Sequence, residues 1–402
     1  MINIDLINKV QTPFFLYDEA QLDNNISLLK ENLNKFWNNY TIGYSVKTNA
    51  FPPLAQHLLS LDMTAEVVSE DEFDLVRRIG YNYNKIICNG PVKSKSWIWK
   101  LLQNNVVLNV DSKRELRYIK EFAQNNKNKK CSVGLRVNLD IESHFPGESD
   151  PFGSRFGFSY ENNELGEAIH DLKEQSNIFI AGLHMHSNTK SRDVGAYRLF
   201  ASCFAKIVTQ YELSEINYLD IGGGFCNGIP NRPGWNDYLP AISRELRDSN
   251  FSPDKLKLIL EPGISLLGNT FSYYMKVIDV KSNTRQNYVV LDGSKIHIDP
   301  LMGKKIFFPE ILPQNKDRQV KSSQQLVGFT CIEYDRFAVL ENELALEEGD
   351  IVCYHRVGAY TLALSPLFIS YFPPVYKITN DELECMREKW GVDQFIQLSK
   401  LL

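Results

Sequence analysis

The chain has 402 residues, of which 43% are hydrophobic and 23% are charged, with a formal net charge of −5 and a pI near 5.9. This mildly acidic balance gives no reason to expect a nucleic-acid or membrane surface, and no apolar run approaches the ~20 residues of a membrane span. The first residues lack the pattern of a signal peptide. Seven scattered cysteines without C-x-x-C pairs favour neither a disulfide framework nor a metal site. We therefore expect a cytoplasmic protein with no structural metal.

Short apolar segments alternate with amphipathic stretches over the first two thirds of the chain. Near-continuous apolar strands separated by helices are typical of a parallel sheet covered on its outer face. Eight such segments predict an α/β fold, a (β/α)8 TIM-like barrel over residues 20–270. The predicted strands are, in chain order, 42–46, 64–68, 85–88, 106–110, 132–137, 179–184, 217–221 and 257–261.

The alternation of predicted strands and helices ends after residue 270, where strand-like segments follow one another without long helices between them. This change predicts a second, β-rich domain of sandwich or barrel type over residues 271–402. The stretch TPFFLYD, residues 12–18, precedes the first barrel helix. We expect it to be a strand of that same domain, which then includes residues 1–19.

Polar residues of several kinds follow the predicted strands. Catalytic groups of such barrels lie at the face where the carboxyl ends of the strands converge. A lysine after one strand is most simply a solvated residue, but a solvated rim would consist mainly of lysine and glutamate. The variety at these ends therefore indicates a site. The strand ends provide Lys47, Glu66, Ser69, Asn89, Asp111, Arg136, Asn138, His186, Gly222, Gly223, Gly224, Glu261 and Gly263.

Three glycines after the seventh strand indicate a phosphate site, because glycine lets backbone amides approach an anion closely. A tight turn explains one glycine but explains three poorly, and the P-loop pattern is missing. A phosphorylated ligand beside a lysine, a glutamate and a histidine suggests pyridoxal phosphate. Lys47 would hold it as a Schiff base, Glu261 would keep the ring nitrogen protonated, and His186 would lie against the ring face.

The order and spacing of six motifs resemble those of the fold-type III pyridoxal-phosphate decarboxylases, the group of diaminopimelate and ornithine decarboxylases: YSVKTN, HMHSNT, DIGGGF, EPG, VGFTCIEYD and GAYT. The resemblance runs from about Thr12 to Tyr376. It implies an amino-acid decarboxylase with Lys47 as the Schiff-base lysine, His186 stacked on the cofactor and Glu261 on the ring nitrogen. The further cofactor ligands that it implies are Thr189, Gly222, Gly223, Gly224, Gly263 and Tyr360.

The same resemblance implies a homodimer with shared active sites, in which the β-rich domain completes the site of the partner subunit. Cys331 resembles the cysteine that enters from the partner and protonates the carbanion left by CO₂ loss. Arg155 and Asp335 resemble a basic–acidic pair between subunits. Simpler interpretations stay open: Cys331 as a small buried residue, Tyr360 as a core aromatic, and the charged pair as unrelated surface groups. His184 is expected to be structural.

The chain departs from the family pattern where the family recognises the far end of its substrate. Ile264 stands where the family usually has an arginine, and Ile332 where it commonly has an acid that holds a distal amine. An apolar residue cannot satisfy a buried ammonium group. We therefore expect an unusual or conjugated amino acid, as in siderophore or antibiotic biosynthesis. Two other departures from the family pattern are DPLMG at 299–303 and Asn188 with Thr189. Candidate contacts for an acidic substrate end are His297, Lys304 and Lys305.

Four other functions remain to be weighed. A diaminopimelate or ornithine/lysine-type decarboxylase would keep the cofactor residues. A catalytically inactive regulator would explain the lost substrate contacts, but it would not need Lys47, Cys331, Glu261 and the three glycines to be intact. A racemase of similar fold typically pairs the ring nitrogen with a weaker partner than Glu261. A metal-dependent hydrolase would use the two histidines of HMH, at 184 and 186, but no further histidine ligand follows another strand.

Overall fold

A computed structural model describes residues 4–187, 189–303 and 308–400. The chain divides into two compact units, one of residues Asn25–Leu266 and one that combines Met1–Asn24 with Leu267–Leu402. The barrel predicted over 20–270 differs from the first unit by a few residues at each end. The chain begins with a short helix α1 (Ile4–Ile7) and a strand β1 (Phe14–Tyr17), both in the second unit.

The predicted parallel barrel is confirmed. Within the described residues, eight parallel strands form a closed sheet, because β2 pairs with both β3 and β10, and β5 pairs with β6. A short strand, β7, pairs with β6 beside the barrel. The strands are β2 (Tyr40–Ser45), β3 (Thr64–Val67), β4 (Ile86–Cys88), β5 (Val107–Val110), β6 (Cys131–Asn138), β7 (Phe158–Ser159), β8 (Ile178–Met185), β9 (Tyr218–Asp220) and β10 (Lys257–Leu260).

Helices follow most barrel strands, and serine residues begin several of them. The hydroxyl group of Ser69 accepts a hydrogen bond from the Glu72 amide, and Ser94 and Ser112 cap the next two helices in the same way. Ser69, which the sequence placed among the site candidates, is thus a helix cap. The helices are α2 (Glu19–Phe36), α3 (Pro52–Ser60), α4 (Glu70–Ile79), α5 (Lys95–Gln103), α6 (Lys113–Asn125), α7 (Ile141–His144), α8 (Glu164–Lys173), α9 (Val194–Gln210), α10 (Trp235–Asp248) and α11 (Ile264–Leu267).

A tyrosine fills part of the barrel interior because two neighbouring strands carry glycine. A Cβ atom on Gly182 would lie 2.0 Å from the Tyr218 ring, and one on Gly134 would lie 2.2 Å from its hydroxyl oxygen. The space that these glycines leave lets the Tyr218 hydroxyl donate a hydrogen bond to Asn109 Oδ1 at 2.9 Å. The packing of the barrel interior therefore fixes the orientation of one polar side chain that leads into the site.

The second unit is β-rich, as predicted. Its sheet has the order β15-β14-β12-β11-β1-β17-β18, and β16 pairs with both β11 and β13. β1, within the predicted 12–18, lies between β11, to which it is antiparallel, and β17, to which it is parallel. The elements are β11 (Phe271–Ser282), β12 (Asn287–Leu291), β13 (Phe308–Leu312), β14 (Val320–Val327), β15 (Arg336–Leu344), β16 (Ile351–His355), β17 (Val375–Thr379), β18 (Glu382–Arg387) and α12 (Val392–Ile396).

A helix that crosses a bilayer needs about 20 predominantly apolar residues. None of the helices in the described ranges is both long enough and apolar enough to do so.

Candidate active site

Lys47 follows β2 in a short turn of 3-10 helix, Val46–Thr48, at the carboxyl end of the barrel. Its Nζ atom donates a hydrogen bond to Glu66 Oε2 at 2.6 Å, and the same oxygen accepts one from Ser45 Oγ at 2.6 Å. The side chain of Glu66 is 1% exposed, whereas that of Lys47 is 40% exposed. The lysine is therefore oriented by a buried carboxylate while its amine stays accessible to a ligand.

Asn89, directly after β4, connects this pair to the opposite side of the barrel. Its Nδ2 atom donates to Glu66 Oε1 at 3.1 Å and to Glu261 Oε1 at 2.5 Å, so one amide group bridges two carboxylates. Its own Oδ1 accepts a hydrogen bond from Asn109 Nδ2 at 2.9 Å, which fixes which way the amide points. A continuous set of hydrogen bonds thus joins Lys47 to Glu261.

Glu261 follows β10 and is 4% exposed. Burial alone would raise the pKa of its carboxyl group, but His184, Lys47 and a hydrogen bond with Asp220 outweigh it and hold the pKa below its usual range. His184 Nε2 lies 3.5 Å from Glu261 Oε2. Burial, together with the charge of Glu261, raises the pKa of Asp220 well above its usual range. Of these two adjacent acids, Asp220 therefore keeps its proton and Glu261 carries the negative charge.

His186 follows β8, and its Nδ1 atom accepts a hydrogen bond from the Gly223 amide at 3.1 Å. Burial, followed by the nearby charge of Arg136, lowers the pKa of His186 to about 3. The imidazole is therefore neutral at pH 7. Gly222 has a φ of +64°, and a Cβ atom there would lie 2.7 Å from His186 Nδ1. Glycine is required at this position both by the backbone conformation and by the close approach of the ring.

The backbone around the glycines forms a tight cradle with unsatisfied hydroxyl groups. A Cβ atom on Gly223 would lie 2.3 Å from the Glu261 carbonyl oxygen, and one on Gly263 would lie 2.3 Å from Thr48 Oγ1. Thr48 and Ser265 are buried, and their hydroxyl groups have no hydrogen-bond partner within the described residues. Buried hydroxyl groups without partners are costly. Such a cradle suits an anionic ligand that accepts hydrogen bonds.

Two residues that the sequence did not single out hold this glycine loop in place. The Tyr197 hydroxyl donates to the Gly223 carbonyl at 2.9 Å, and Arg192 NH1 donates to the Gly224 carbonyl at 3.0 Å. Thr189, a predicted cofactor ligand three residues before Arg192, is buried. Asn188 lies outside the described residues.

A cavity of about 380 Å³ lies beside His186, between the end of β6 and the segment 149–156. Arg136 lines it, and its NH1 atom lies 3.2 Å from Asp111 Oδ1. The guanidinium groups of Arg136 and Arg155 lie 4.7 and 4.1 Å from the centre of the Phe156 ring. Arg155 is thus stacked on an aromatic ring at the wall of this cavity.

Three predicted site residues belong to the β-rich unit. Cys331 is exposed. Tyr360 is 43% exposed and has a φ of +57°, a left-handed conformation that a bulky residue rarely adopts. Asp335 is buried, and its two carboxylate oxygens accept hydrogen bonds from Ser294 Oγ at 2.9 Å and from the Lys295 amide at 2.8 Å. The pairing of Asp335 with Arg155 of a second subunit stays a prediction.

The residues suggested for an acidic substrate end are only partly described. His297 is buried, its Nδ1 atom lies 2.6 Å from the Tyr273 hydroxyl, and burial lowers its pKa to about 4. It is therefore neutral at pH 7 and offers no positive charge to an anion. Lys304 and Lys305 lie outside the described residues.

Comparison with known proteins decides which anionic ligand fits this site. Residues 19–268 match the family model described as the pyridoxal binding domain of pyridoxal-dependent decarboxylases. The chain belongs to this family. It is 29% identical over 377 residues to a probable chloroplastic diaminopimelate decarboxylase of Oryza sativa subsp. japonica, covering 92% of this chain and 76% of the relative.

This pyridoxal-dependent decarboxylase is also similar to a second relative in sequence and to a solved structure in fold. It is 24% identical over 417 residues to the L-glutamyl-[BtrI acyl-carrier protein] decarboxylase of Niallia circulans, covering 97% of this chain and 94% of the relative. The fold matches that of the M. jannaschii diaminopimelate decarboxylase crystallised with L-lysine, with a TM-score of 0.85 at 23% identity, over 99% of this chain and 94% of that one. The protein is therefore a pyridoxal-phosphate-dependent carboxy-lyase that acts on an amino acid.

The residues of the decarboxylase barrel fit pyridoxal phosphate. The glycine cradle, with the unpartnered hydroxyl groups of Thr48 and Ser265, would hold the phosphate. The ionised Glu261 would face the protonated ring nitrogen, and Lys47 would supply the amine that binds the aldehyde carbon. The sequence indicated Lys47, His186, Glu261 and the glycines because they follow strands. It gave no role to Asn109, Asp220, Tyr197 or Arg192, whose site contacts are mostly with residues distant in the sequence.

We predict that borohydride reduction of the enzyme loaded with pyridoxal phosphate fixes the cofactor on Lys47. The reason is that its accessible amine lies beside the phosphate cradle, oriented by Glu66. Peptide mapping by mass spectrometry checks this, with Lys47→Ala as the unlabelled control. A label on another lysine of the wild-type protein would show that the assignment is wrong.

We also predict that Glu261→Gln keeps the cofactor but loses about 100-fold or more in kcat, since a neutral amide cannot keep the ring nitrogen protonated. Absorbance of the bound cofactor and CO₂ release from the best amino acid of a substrate panel measure the two effects. The exposed substitution Glu215→Gln is the control. A variant that releases CO₂ at the wild-type rate contradicts the role given to Glu261.

Proposed function

We propose that this enzyme decarboxylates an amino acid whose far end is not a free ammonium group, such as an acylated or carrier-linked amino acid. This proposal places the enzyme in a biosynthetic pathway of the siderophore or antibiotic type. The observation that carries it is the apolar residue Ile332, at a position where the family resemblance implies an acid. A substrate with a free distal amine would leave a buried positive charge without a partner.

The surroundings of the two substituted positions support this proposal. Ile332 is half-buried directly after the exposed Cys331, and Ile264 is half-buried at the start of α11. Neither side chain can hydrogen-bond or pair with a charge. Of the relatives, the Niallia circulans enzyme is named for a glutamyl group attached to an acyl-carrier protein, a substrate of the conjugated kind.

Diaminopimelate decarboxylation is the second candidate. It is favoured by the rice relative and by the structural similarity to the M. jannaschii enzyme, both of which are named for that activity. This candidate requires that residues other than those at 264 and 332 recognise the distal amine and carboxylate. The two candidates therefore differ in a measurable preference for substrates.

In either case we assign the following roles within the barrel. When bound, pyridoxal phosphate would supply the electron sink for the electron pair that stays on the substrate's α-carbon when CO₂ departs. Glu66 orients the Lys47 amine. Glu261 would keep the ring nitrogen protonated, because its own pKa is lowered while that of the adjacent Asp220 is raised. The neutral ring of His186 would lie against one face of the cofactor.

We further propose that the enzyme is a homodimer in which Cys331 and Tyr360 complete the partner's site. Both side chains are exposed in the single chain, as a contribution to another subunit requires. The left-handed backbone of Tyr360 is a strained conformation of the kind found at binding sites. Cys331 would donate the proton that replaces CO₂, and Tyr360 would bind the phosphate group.

We predict that ornithine, lysine and meso-diaminopimelate have a kcat/KM at least ~100-fold below that of the best N-acylated or carrier-linked amino acid, because an unpaired buried charge costs roughly 3 kcal/mol. CO₂ release across the panel measures this. Ile332→Asp should raise the kcat/KM for ornithine and lysine, whereas Ile332→Leu should not. Efficient turnover of meso-diaminopimelate by the wild-type enzyme would establish the second candidate instead.

We predict that mixing inactive Lys47→Ala with inactive Cys331→Ala restores activity. Random exchange gives about half heterodimers, each with one intact site, so recovery approaches about a quarter of the wild-type rate. CO₂ release before and after exchange under mild denaturant measures this, and each variant mixed with itself is the control. Heterodimers seen by native mass spectrometry without any activity would place Cys331 outside the partner's site.

A further inference from the structure

A fully buried ion pair lies behind the strand ends of the barrel. Lys93, in the loop after β4, has its Nζ atom 3.0 Å from Oε2 of Glu115 on α6, and both side chains have no exposed surface. Removing two charges from water costs about as much as their attraction returns, so such a pair is a poor source of stability. Its contacts with the backbone indicate a different role.

The lysine fixes the backbone next to Asn89. Its Nζ atom also donates to the Gly90 carbonyl at 2.6 Å. Gly90 has a φ of +95°, and a Cβ atom there would lie 2.3 Å from the Val68 carbonyl oxygen, so the chain passes the end of β3 very closely. Lys93 thus holds the backbone one residue after Asn89, whose side-chain amide bridges Glu66 and Glu261.

The glutamate fixes the next strand end in the same way. Glu115 Oε2 accepts a hydrogen bond from the Asp111 amide at 2.9 Å. The Asp111 carboxylate in turn pairs with Arg136, which lines the cavity beside His186. The two partners of one ion pair thus hold the backbone at two adjacent strand ends, and each of these carries a side chain that continues into the site.

We propose that Lys93 and Glu115 are positioning residues for decarboxylation, which act through Asn89 and Asp111. Their ion pair clamps the carboxyl ends of β4 and β5 at a fixed separation, so that the Asn89 amide reaches both carboxylates and Asp111 holds Arg136. The proposal rests on the cofactor chemistry of the family and is independent of which amino acid is the substrate.

A double variant separates positioning from stability. Each single variant, Lys93→Met or Glu115→Leu, leaves one buried charge without a partner and should lower the unfolding midpoint by roughly 10 °C. The double variant Lys93→Met/Glu115→Leu leaves no buried charge unpaired and should therefore unfold above both single variants, although the Gly90 carbonyl and the Asp111 amide lose their partners and keep its midpoint below that of the wild type. It still lacks both directed bonds, to the Gly90 carbonyl and to the Asp111 amide.

The experiment compares the double variant with the wild type by three measurements: the unfolding midpoint, the affinity of the apoprotein for added pyridoxal 5'-phosphate by absorbance titration, and CO₂ release from the best amino acid of the panel. At a temperature well below its midpoint, where the double variant is folded, we expect cofactor affinity to fall about tenfold and kcat to fall about 100-fold. The matched control is Lys113→Met/Glu167→Leu, which removes an exposed pair of the same 3.0 Å length that involves the same helix α6. This control variant should change neither the cofactor affinity nor kcat.

Wild-type affinity and rate in a folded double variant would overturn the proposal, as would an equal loss in the control. If the double variant does not fold, Glu115→Gln replaces it, because its amide oxygen still accepts from the Asp111 amide while the attraction to Lys93 is lost. A threefold or greater loss of cofactor affinity in Glu115→Gln then supports the proposal, and an unchanged affinity overturns it. The cofactor titration involves no substrate, so its outcome is independent of the proposed substrate preference.

Discussion

A carboxylate that stays charged while it is buried is the constraint on which the barrel site depends. Glu261 has almost no exposed surface, and an isolated charge in that position would take up a proton or destabilise the fold. Three surrounding residues together stabilise the charged form of the carboxylate. Asn89 donates to the carboxylate, His184 lies against it, and Asp220 carries the proton that the pair would otherwise share. The site is therefore already electrostatically prepared for a positively charged ring nitrogen.

Much of the barrel can be predicted from the sequence, because two simple rules reinforce each other. Apolar runs of four to eight residues predict the strands, and the convergence of their carboxyl ends predicts that Lys47, His186 and Glu261 lie at one face of the barrel. The same rule misplaces Ser69, whose hydroxyl group begins a helix. A serine after a strand and before a helix serves as a cap more often than as a ligand.

The remaining site residues leave no such signal in the sequence. Asn109 and Asp220 lie within strands, where a polar residue has meaning only through the partner that faces it across the barrel. Glu115 lies on a helix and looks like an ordinary first-turn acid until its buried lysine partner is known. These contacts depend on strand register and helix packing, which local patterns do not determine.

The place of β1 in its sheet has a consequence for synthesis on the ribosome. Its two neighbouring strands, β11 and β17, begin at residues 271 and 375, so Phe14–Tyr17 is translated long before either partner exists. At 5–20 residues per second the nascent strand waits roughly 10 to 50 s for β11 alone. Three of its four residues are buried in the finished fold. An apolar strand with open edges is a template for wrong pairing. This segment of the nascent chain therefore has to stay unpaired for longer than the synthesis of the whole barrel takes.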